Sequence, residues 1–347
     1  MKKHISFPSI EQYRNIISNI NRTHTFVGLD EQGEAIYNSE LNKPTIEFTG
    51  TIKLHGTNAA VCYNKFDGLW AQSRENIITV EKDNAGFALF VEKNKHDFTW
   101  LMSNIVKKYN IEWENGATIS IYGEWCGAGI QKGIAISQLD KSFFIFGIKI
   151  TPSNDNEVSY WVDHSGFNRN EGRIFNILDY QTYKINIDFN KPQAYQNQLI
   201  EHTIEVETQC PVGSAFGYEG IGEGIVWSAN YKDSVIRFKV KGEKHSKSKV
   251  KVLNPVDDVK LNKIEEIVQK VTPEWRLQQM LEQSCDLLNG GQLDRNKLGD
   301  YIRLVISDVV KEELDVMVEA GLELKDINKS ISEVARKYFF EQEKVKI

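Results

Sequence analysis

The feature that most limits how this chain can fold is a change of pattern near Lys251. From about Thr45 onward, short runs alternate apolar and polar residues. Examples are Ile46-Glu47-Phe48-Thr49-Gly50-Thr51-Ile52-Lys53, Ala117-Thr118-Ile119-Ser120-Ile121-Tyr122 and Ser234-Val235-Ile236-Arg237-Phe238-Lys239-Val240. They are rich in β-branched and aromatic residues and are bounded by Gly, Asn and Asp, the pattern of strands that send successive side chains to opposite faces. After Lys251 helical periodicity takes over. Pro255 closes the preceding basic run, and Pro273 is placed to open a helix through Trp275, Leu277, Met280, Leu281, Cys285 and Leu288. Asn289-Gly290-Gly291 is placed to stop it. Tyr301, Leu304, Val305, Val309, Leu314, Val316 and Met317 continue the theme, Gly321 breaks it, and a last helix carries Ile331, Val334, Ala335 and Tyr338. Ile10, Tyr13, Ile16, Ile17 and Ile20 predict an opening helix over 7–20, and another helix is expected between Asn84 and Tyr109.

The fold class is therefore α+β. Residues 1–252 are expected to form a domain of mainly antiparallel sheets with flanking helices and an N-terminal helical extension. Residues 253–347 are expected to form a small all-helical C-terminal domain, of a size that can bury its own core. The chain has 347 residues, and its 41% hydrophobic and 26% charged content argues against disorder on a large scale. No signal-like apolar run opens it and no stretch is long enough to span a bilayer, so no membrane role is expected. Cys62, Cys126, Cys210 and Cys285 lie far apart without a C-x-x-C pair, which reads as reduced thiols in a cytoplasmic setting. The net charge of −6 speaks against a protein coated by nucleic acid, yet leaves room for a local basic track.

The residues that carry chemistry begin with Lys53-Leu54-His55-Gly56-Thr57-Asn58 at the end of a strand. A lysine before a Gly-containing turn can present its amine at a pocket mouth. There, nearby cations or a metal can favour the neutral, nucleophilic form. Alone, K-x-x-G is as well explained by a surface lysine before a turn. The order of later elements adds to it: Gly123-Glu124-Trp125, the aromatic strand Phe143 to Gly147, Glu219-Gly220-Ile221-Gly222-Glu223-Gly224-Ile225-Val226, and Arg237-Phe238-Lys239-Val240-Lys241. Strand period puts Lys239 and Lys241 on one face, where two ammonium groups can converge on a phosphate.

This array, K-x-x-G, G-E, F-F-x-F, E-G-x-V and K-x-K, resembles the covalent nucleotidyltransferases, and most of all the bacteriophage T4 RNA ligase 2 family. Gly123-Glu124-Trp125-Cys126-Gly127-Ala128-Gly129-Ile130-Gln131-Lys132 and Asp140-Lys141-Ser142-Phe143-Phe144-Ile145-Phe146 carry the likeness, with the Lys53 motif. It covers the sheet-rich region well, the helical tail loosely and the first forty residues hardly at all. The resemblance implies a nucleotidyltransferase fold and an ATP-dependent RNA ligase that joins a 3′-hydroxyl to a 5′-phosphate, with magnesium, or manganese in its place, and RNA as partner. A monomer is favoured.

Residue by residue, the resemblance implies that Lys53 takes AMP as a phosphoramidate, with His55 and Asn58 beside it. Arg74 would bind phosphate, Glu124 the ribose hydroxyls, and Phe146 would stack on adenine. Glu223 would help to hold the divalent metal, while Lys239 and Lys241 would clamp the α-phosphate. Base stacking alone gives affinity and little choice of ATP over GTP. Each position has a plainer reading too: Asn58 as a turn cap, Arg74 as a solvated strand residue, one of the three phenylalanines as core, Cys126 as packing. Where the phage family carries an acidic residue just after the aromatic strand, this chain has Gly147. The run Arg237 to Lys251, with seven Lys or Arg against Glu243, is read as a nucleic-acid backbone track. Two rivals stand beside RNA ligation. One is a DNA ligase or capping guanylyltransferase, in which a β-rich OB domain follows the last lysine motif. The other is a non-catalytic nucleic-acid binding module.

Overall fold

The computed structural model describes residues 2–29, 33–38, 40–154, 156–232, 234–242, 258–285, 287 and 293–345. The chain opens with a short strand, β1 (Glu11–Gln12), helix α1 (Tyr13–Thr25) and the hairpin β2 (Phe26–Leu29) and β3 (Ala35–Tyr37). There follow β4 (Thr45–Lys53), β5 (Thr57–Asn64), β6 (Gly68–Ser73), β7 (Ile77–Ile78), α2 (Phe87–Lys93), α3 (Lys95–Tyr109), β8 (Thr118–Cys126) and β9 (Ser142–Thr151). Next come β10 (Tyr160–Val162), β11 (Ile174–Asn176), β12 (Thr182–Asp188), α4 (Gln196–Thr208), α5 (Pro211–Ala215), β13 (Gly224–Tyr231) and β14 (Ser234–Lys241). Helices α6 (Asp258–Val271), α7 (Glu274–Ser284), α8 (Leu298–Glu319) and α9 (Leu324–Val345) complete the described elements.

Two units partition these elements. One comprises Met1–Ile16, Thr45–Ile187 and Tyr195–Asn254; the other comprises Ile17–Pro44, Asp188–Ala194 and Pro255–Ile347. In the first unit, one sheet runs β1-β14-β13-β4-β12 and a second runs β10-β9-β8-β5-β6-β7, with β11 also on β9. The long pairings β4–β13, β13–β14, β5–β6, β5–β8 and β8–β9 are antiparallel, whereas β1 joins β14 and β11 joins β9 in parallel. The α+β class with antiparallel-rich sheets is what the alternating runs predict.

Alternation also decides the layers. Ala59, Val61, Ile119, Ile121, Phe143, Ile145, Ile148 and Ile150 turn one face of the second sheet onto α2 and α3, where Phe87, Val91, Phe98, Leu101 and Ile105 meet them. Each such large side chain taken wholly out of water stabilises the fold by about 1.5–3 kcal/mol. The opposite face carries Ala60, Cys62, Trp70 and Tyr122, against which Phe7, Phe146 and Trp161 pack.

Along β9, strict alternation would send Ile148 and Ile150 away from Phe143 and Ile145, yet all four share one core. The register explains it: Tyr122 pairs with Gly147 and Gly123 with Ile145, so Phe146 is an extra residue without an opposite partner. Such a bulge re-aims the side chain at that point. Phe143 is core, while Phe144 and Phe146 both look to the other side.

The opening helix begins later than Phe7. It starts at Tyr13, and Phe7, Pro8, Ser9 and Ile10 stay non-helical. Pro8 donates no backbone hydrogen bond. The segment is tied down elsewhere: the Ile5 N–H donates to Gln72 Oε1, and Gln72 Nε2 and the Tyr122 hydroxyl both donate to the Ile5 carbonyl. The expected single helix between Asn84 and Tyr109 is two, separated at Asn94.

In the second unit, α6 to α9 bury Val268, Leu277, Met280, Leu281, Tyr301, Val305, Val309, Ile327, Ile331, Ala335 and Phe339 in one core, at the helical spacing read from the sequence. Arg276, itself buried, links α7 to α8 through Asp308 (3.0 Å) and Glu313 (2.8 Å). Pro273 caps α7 and Gly321 takes a positive φ after α8, as expected. The Asn289-Gly290-Gly291 stop, Leu288, the Leu314 side chain, Pro255 and the basic run beyond Gly242 lie outside the described residues. Among the described residues no strand follows Lys241, and no helix is long and apolar enough to cross a membrane.

Candidate active site

A cleft of about 500 Å³ in the first unit is lined by Lys53, His55, Asn58, Arg74, Glu124, Phe146, Glu223, Lys239 and Lys241 together. Every residue to which the resemblance gives a nucleotide, metal or phosphate role thus reaches one cavity, although they lie as far apart in the chain as Lys53 and Lys241. Strand register does the gathering. Lys53 on β4, Gly224 on β13 and Lys241 on β14 stand side by side in one row. Thr51, Val226 and Lys239 form the next row, then Thr49, Ser228 and Arg237. The rows are two residues apart, about 6.7 Å along the strands. On the second sheet, Asn58, Glu124 and Phe144 are likewise cross-strand neighbours.

The charge centre is Glu223, whose side chain is 2% exposed. Its Oε2 lies 2.7 Å from Lys53 Nζ and 3.2 Å from His55 Nδ1, and its Oε1 lies 2.6 Å from Lys241 Nζ. Burial alone would favour protonation. The hydrogen bond from His55, the charge of Lys53 and the bonds from both lysines outweigh it and hold the carboxyl well below the usual carboxylate range. Glu124 behaves in the opposite way. Burial dominates there, and its carboxyl is pushed up to about 7 despite Lys53 and a hydrogen bond from the Gly56 N–H (2.9 Å). Lys239 makes a third cation, its ammonium lowered by burial and by the charges of Lys241, Lys53 and Arg74. Arg74 sits at the rim, two-thirds exposed beside Glu75.

Gly56 is fixed by close approach. A Cβ there would stand 2.3 Å from the Trp125 carbonyl oxygen, so only glycine lets the turn after Lys53 lie on β8. At Gly147 a Cβ would meet Trp161 at 3.1 Å and Phe7 at 3.7 Å. Those rings fill the space that an acidic side chain would need. Cys126 is buried and its thiol is raised well above the ordinary value by burial, which suits packing.

Two carboxylates, Glu223 and Glu124, face the cleft, and among the described residues no group of three or more His, Cys, Asp or Glu is gathered for a metal. That donor set fits a hard divalent ion held by one or two carboxylates and by a ligand's own oxygens, not a metal caged by protein. Chemically, the cleft offers an amine beside a carboxylate, several fixed cations and an aromatic wall.

Sequence reading missed Phe7, Val226 and His164, which also line the cleft. Arg237, read from the sequence as the start of a nucleic-acid backbone track, lines it as well, on the face of Lys239 and Lys241. Phe7 and His164 arrive from segments whose position only the tertiary fold sets.

The sequence profile of a protein family described as RNA ligase matches residues 46–241. No curated protein sequence matches the chain. Among solved structures it is similar to an RNA ligase of Naegleria gruberi. One lysine mutant of that ligase with AMP and Mn gives a TM-score of 0.42 at 16% identity, covering 70% of this chain and 57% of that one. Another lysine mutant, with ATP and Mn, gives a TM-score of 0.43 at 17% identity, covering 70% and 58%. The chain thus spans less than two-thirds of the length of those proteins.

Proposed function

This chain belongs to the RNA ligase family, and from that premise we propose that it is an ATP-dependent RNA ligase working through a covalent lysyl-AMP on Lys53. The observation that carries the reading is the Lys53 amine, 2.7 Å from buried Glu223, in a cleft shared with Lys239, Lys241 and Arg74. The resemblance to the bacteriophage T4 RNA ligase 2 family supports the same roles.

In the first step the Lys53 ammonium loses one proton, and its nitrogen bonds to the α-phosphorus of ATP as the bond to pyrophosphate breaks. A second proton leaves to the departing pyrophosphate or solvent, so the phosphoramidate keeps one N–H. Glu223 Oε2 lies within reach of that amine. Three donors keep Glu223 ionised, so it gains proton affinity only as they turn to another anion. The triphosphate is such an anion, competing for Lys241 and Lys53. Lys239 and Lys241 hold the charge that develops on the α-phosphate oxygens, in a cleft where water competes weakly. Glu124 accepts the ribose hydroxyls, Phe146 stacks on the base, and Asn58 and Arg74 meet the phosphates. When bound, magnesium or manganese neutralises the phosphates, and Glu223 is the carboxylate proposed to hold it.

In the second step AMP passes from Lys53 to a 5′-phosphate, giving a 5′–5′ pyrophosphate and restoring the amine. In the third, a 3′-hydroxyl attacks the 5′-phosphorus, AMP leaves and the strand is joined. After Lys241 the described elements are helices α6 to α9, whereas the rivals continue into a β-rich OB domain.

Matched nicked duplexes test the reading. Sealing with ATP and magnesium that demands ribose at the 3′-hydroxyl side is the expected result; equal sealing of all-DNA nicks overturns RNA as the substrate.

A further inference from the structure

Beyond the middle row of the cleft floor stands Arg237, on the same face of β14 as Lys239 and Lys241 but farthest from Lys53. Its guanidinium lies 4.1 Å from the Trp161 ring centre and 5.2 Å from that of Phe7. Phe7 in turn meets Phe146 edge to face at 5.0 Å. Among the described residues no hydrogen bond or ion pair engages this guanidinium. Burial lowers its pKa to about 10, so it remains charged at pH 7 with its N–H donors uncommitted.

His164 lines the same cleft, near enough to Arg237 to feel its charge. Its Nδ1 lies 3.2 Å from Asn176 Oδ1. The fully buried Asn176 amide is fixed in orientation: Nδ2 donates to the His164 and Phe167 carbonyls, and Oδ1 accepts from the Leu178 N–H. Oδ1 can only accept, so His164 Nδ1 carries the proton and Nε2 is left as a lone-pair acceptor. Burial pushes the imidazole down to about 4, against the hydrogen bond that Nδ1–H donates to Asn176, so it is neutral at pH 7.

We infer that Arg237 and His164 read the edge of the purine and set the preference for ATP over GTP: His164 Nε2 accepts from the 6-amino group, and Arg237 donates to the ring nitrogen beside it. This rests on the proposal that the cleft takes a nucleotide with its base on Phe146. Adenine offers a donor at position 6 next to an acceptor nitrogen; guanine and hypoxanthine offer a carbonyl oxygen at position 6. That oxygen would face the His164 lone pair, two acceptors with no proton between them. Stacking on Phe146 is blind to this difference, so an edge reader is the part that the aromatic wall lacks. Arg237, held against the Trp161 ring, is placed where a flexible lysine would not be.

The test compares equilibrium binding and covalent adduct formation with ATP, purine riboside triphosphate and inosine triphosphate. The unaltered protein is expected to favour ATP over the inosine analogue by on the order of 100-fold, with the purine analogue between them. His164→Leu and Arg237→Met are each expected to shrink that ratio by about 10-fold or more. A ratio near unity in the unaltered protein overturns the inference, as do variants that weaken both nucleotides equally. The analogue series needs no substitution, so a variant that fails to fold leaves the answer readable. Absence of any adduct on Lys53 would count against the ligase reading alone, since the binding preference still decides whether the edge is read.

Discussion

Lys53 Nζ and Glu223 Oε2 lie 2.7 Å apart, and the same carboxylate receives Lys241 Nζ at 2.6 Å on its other oxygen. A buried acid thus holds together two cations that would otherwise repel each other, and it does so across β4, β13 and β14.

Removing that acid leaves Lys53 and Lys241 without their counter-charge in a largely enclosed cleft. Glu223→Ala is expected to cost about 3 kcal/mol of stability, because an unpaired buried charge carries most of the penalty of a broken pair. Urea unfolding measures it. Adding Lys53→Met should recover part of the loss, and a double-mutant cycle gives the coupling. Additive losses would mean that the two groups do not interact. The pH sign follows from the depressed carboxyl of Glu223. Its contribution is fully present above the unfolded value of about 4.3 and is lost as pH falls through the folded value. Glu223→Gln should therefore show a flatter loss of stability on acidification.

Glu124 gives the opposite pH dependence. Its carboxyl is raised to about 7, so it is neutral below that pH and gains its charge as pH climbs through it. An ionised carboxylate is the stronger acceptor for ribose hydroxyls. Nucleotide affinity is expected to rise with a midpoint near 7, and Glu124→Gln should flatten the curve. Titrating binding across this range decides it; an unchanged midpoint in the variant would assign the titration to another group.

These two glutamates mark how far the sequence was legible. Strand period and the Gly-flanked motifs were enough to expect an antiparallel-rich α+β region with helices after it, and to name residues that the fold gathers into one cleft. They could not tell that Glu223 would be ionised and Glu124 raised, because that depends on which cations stand across the strands. Nor could they find the Phe146 bulge, since a one-residue slip appears only when β9 is laid on β8. Ile10 has the right spacing to extend the opening helix, yet Pro8 and the bonds of Ile5 to Gln72 and Tyr122 tie the segment down outside it.

Phe146→Ala is expected to weaken ATP binding by about 1–3 kcal/mol, the usual worth of a base stacked on an aromatic face. Phe146→Tyr should keep most of the affinity. Calorimetric titration separates the two, and equal weakening by both would point to packing against Phe7 as the role of this ring.

Gly56→Ala would set a methyl 2.3 Å from the Trp125 carbonyl oxygen. Backbone must move, and a loss of about 1–3 kcal/mol is expected for such overpacking. The Gly56 N–H that donates to Glu124 moves with it, so adduct formation should fall further than stability alone accounts for. Thermal unfolding and single-turnover kinetics on the same variant provide the comparison.

The most direct measurement is peptide mass mapping of the protein after brief mixing with ATP and magnesium. An adenylyl group on the peptide containing Lys53, removed by adding a 5′-phosphorylated nick, is the predicted result. Unmodified Lys53 under conditions in which the protein seals RNA, or the adenylyl group on a different side chain, would contradict the account.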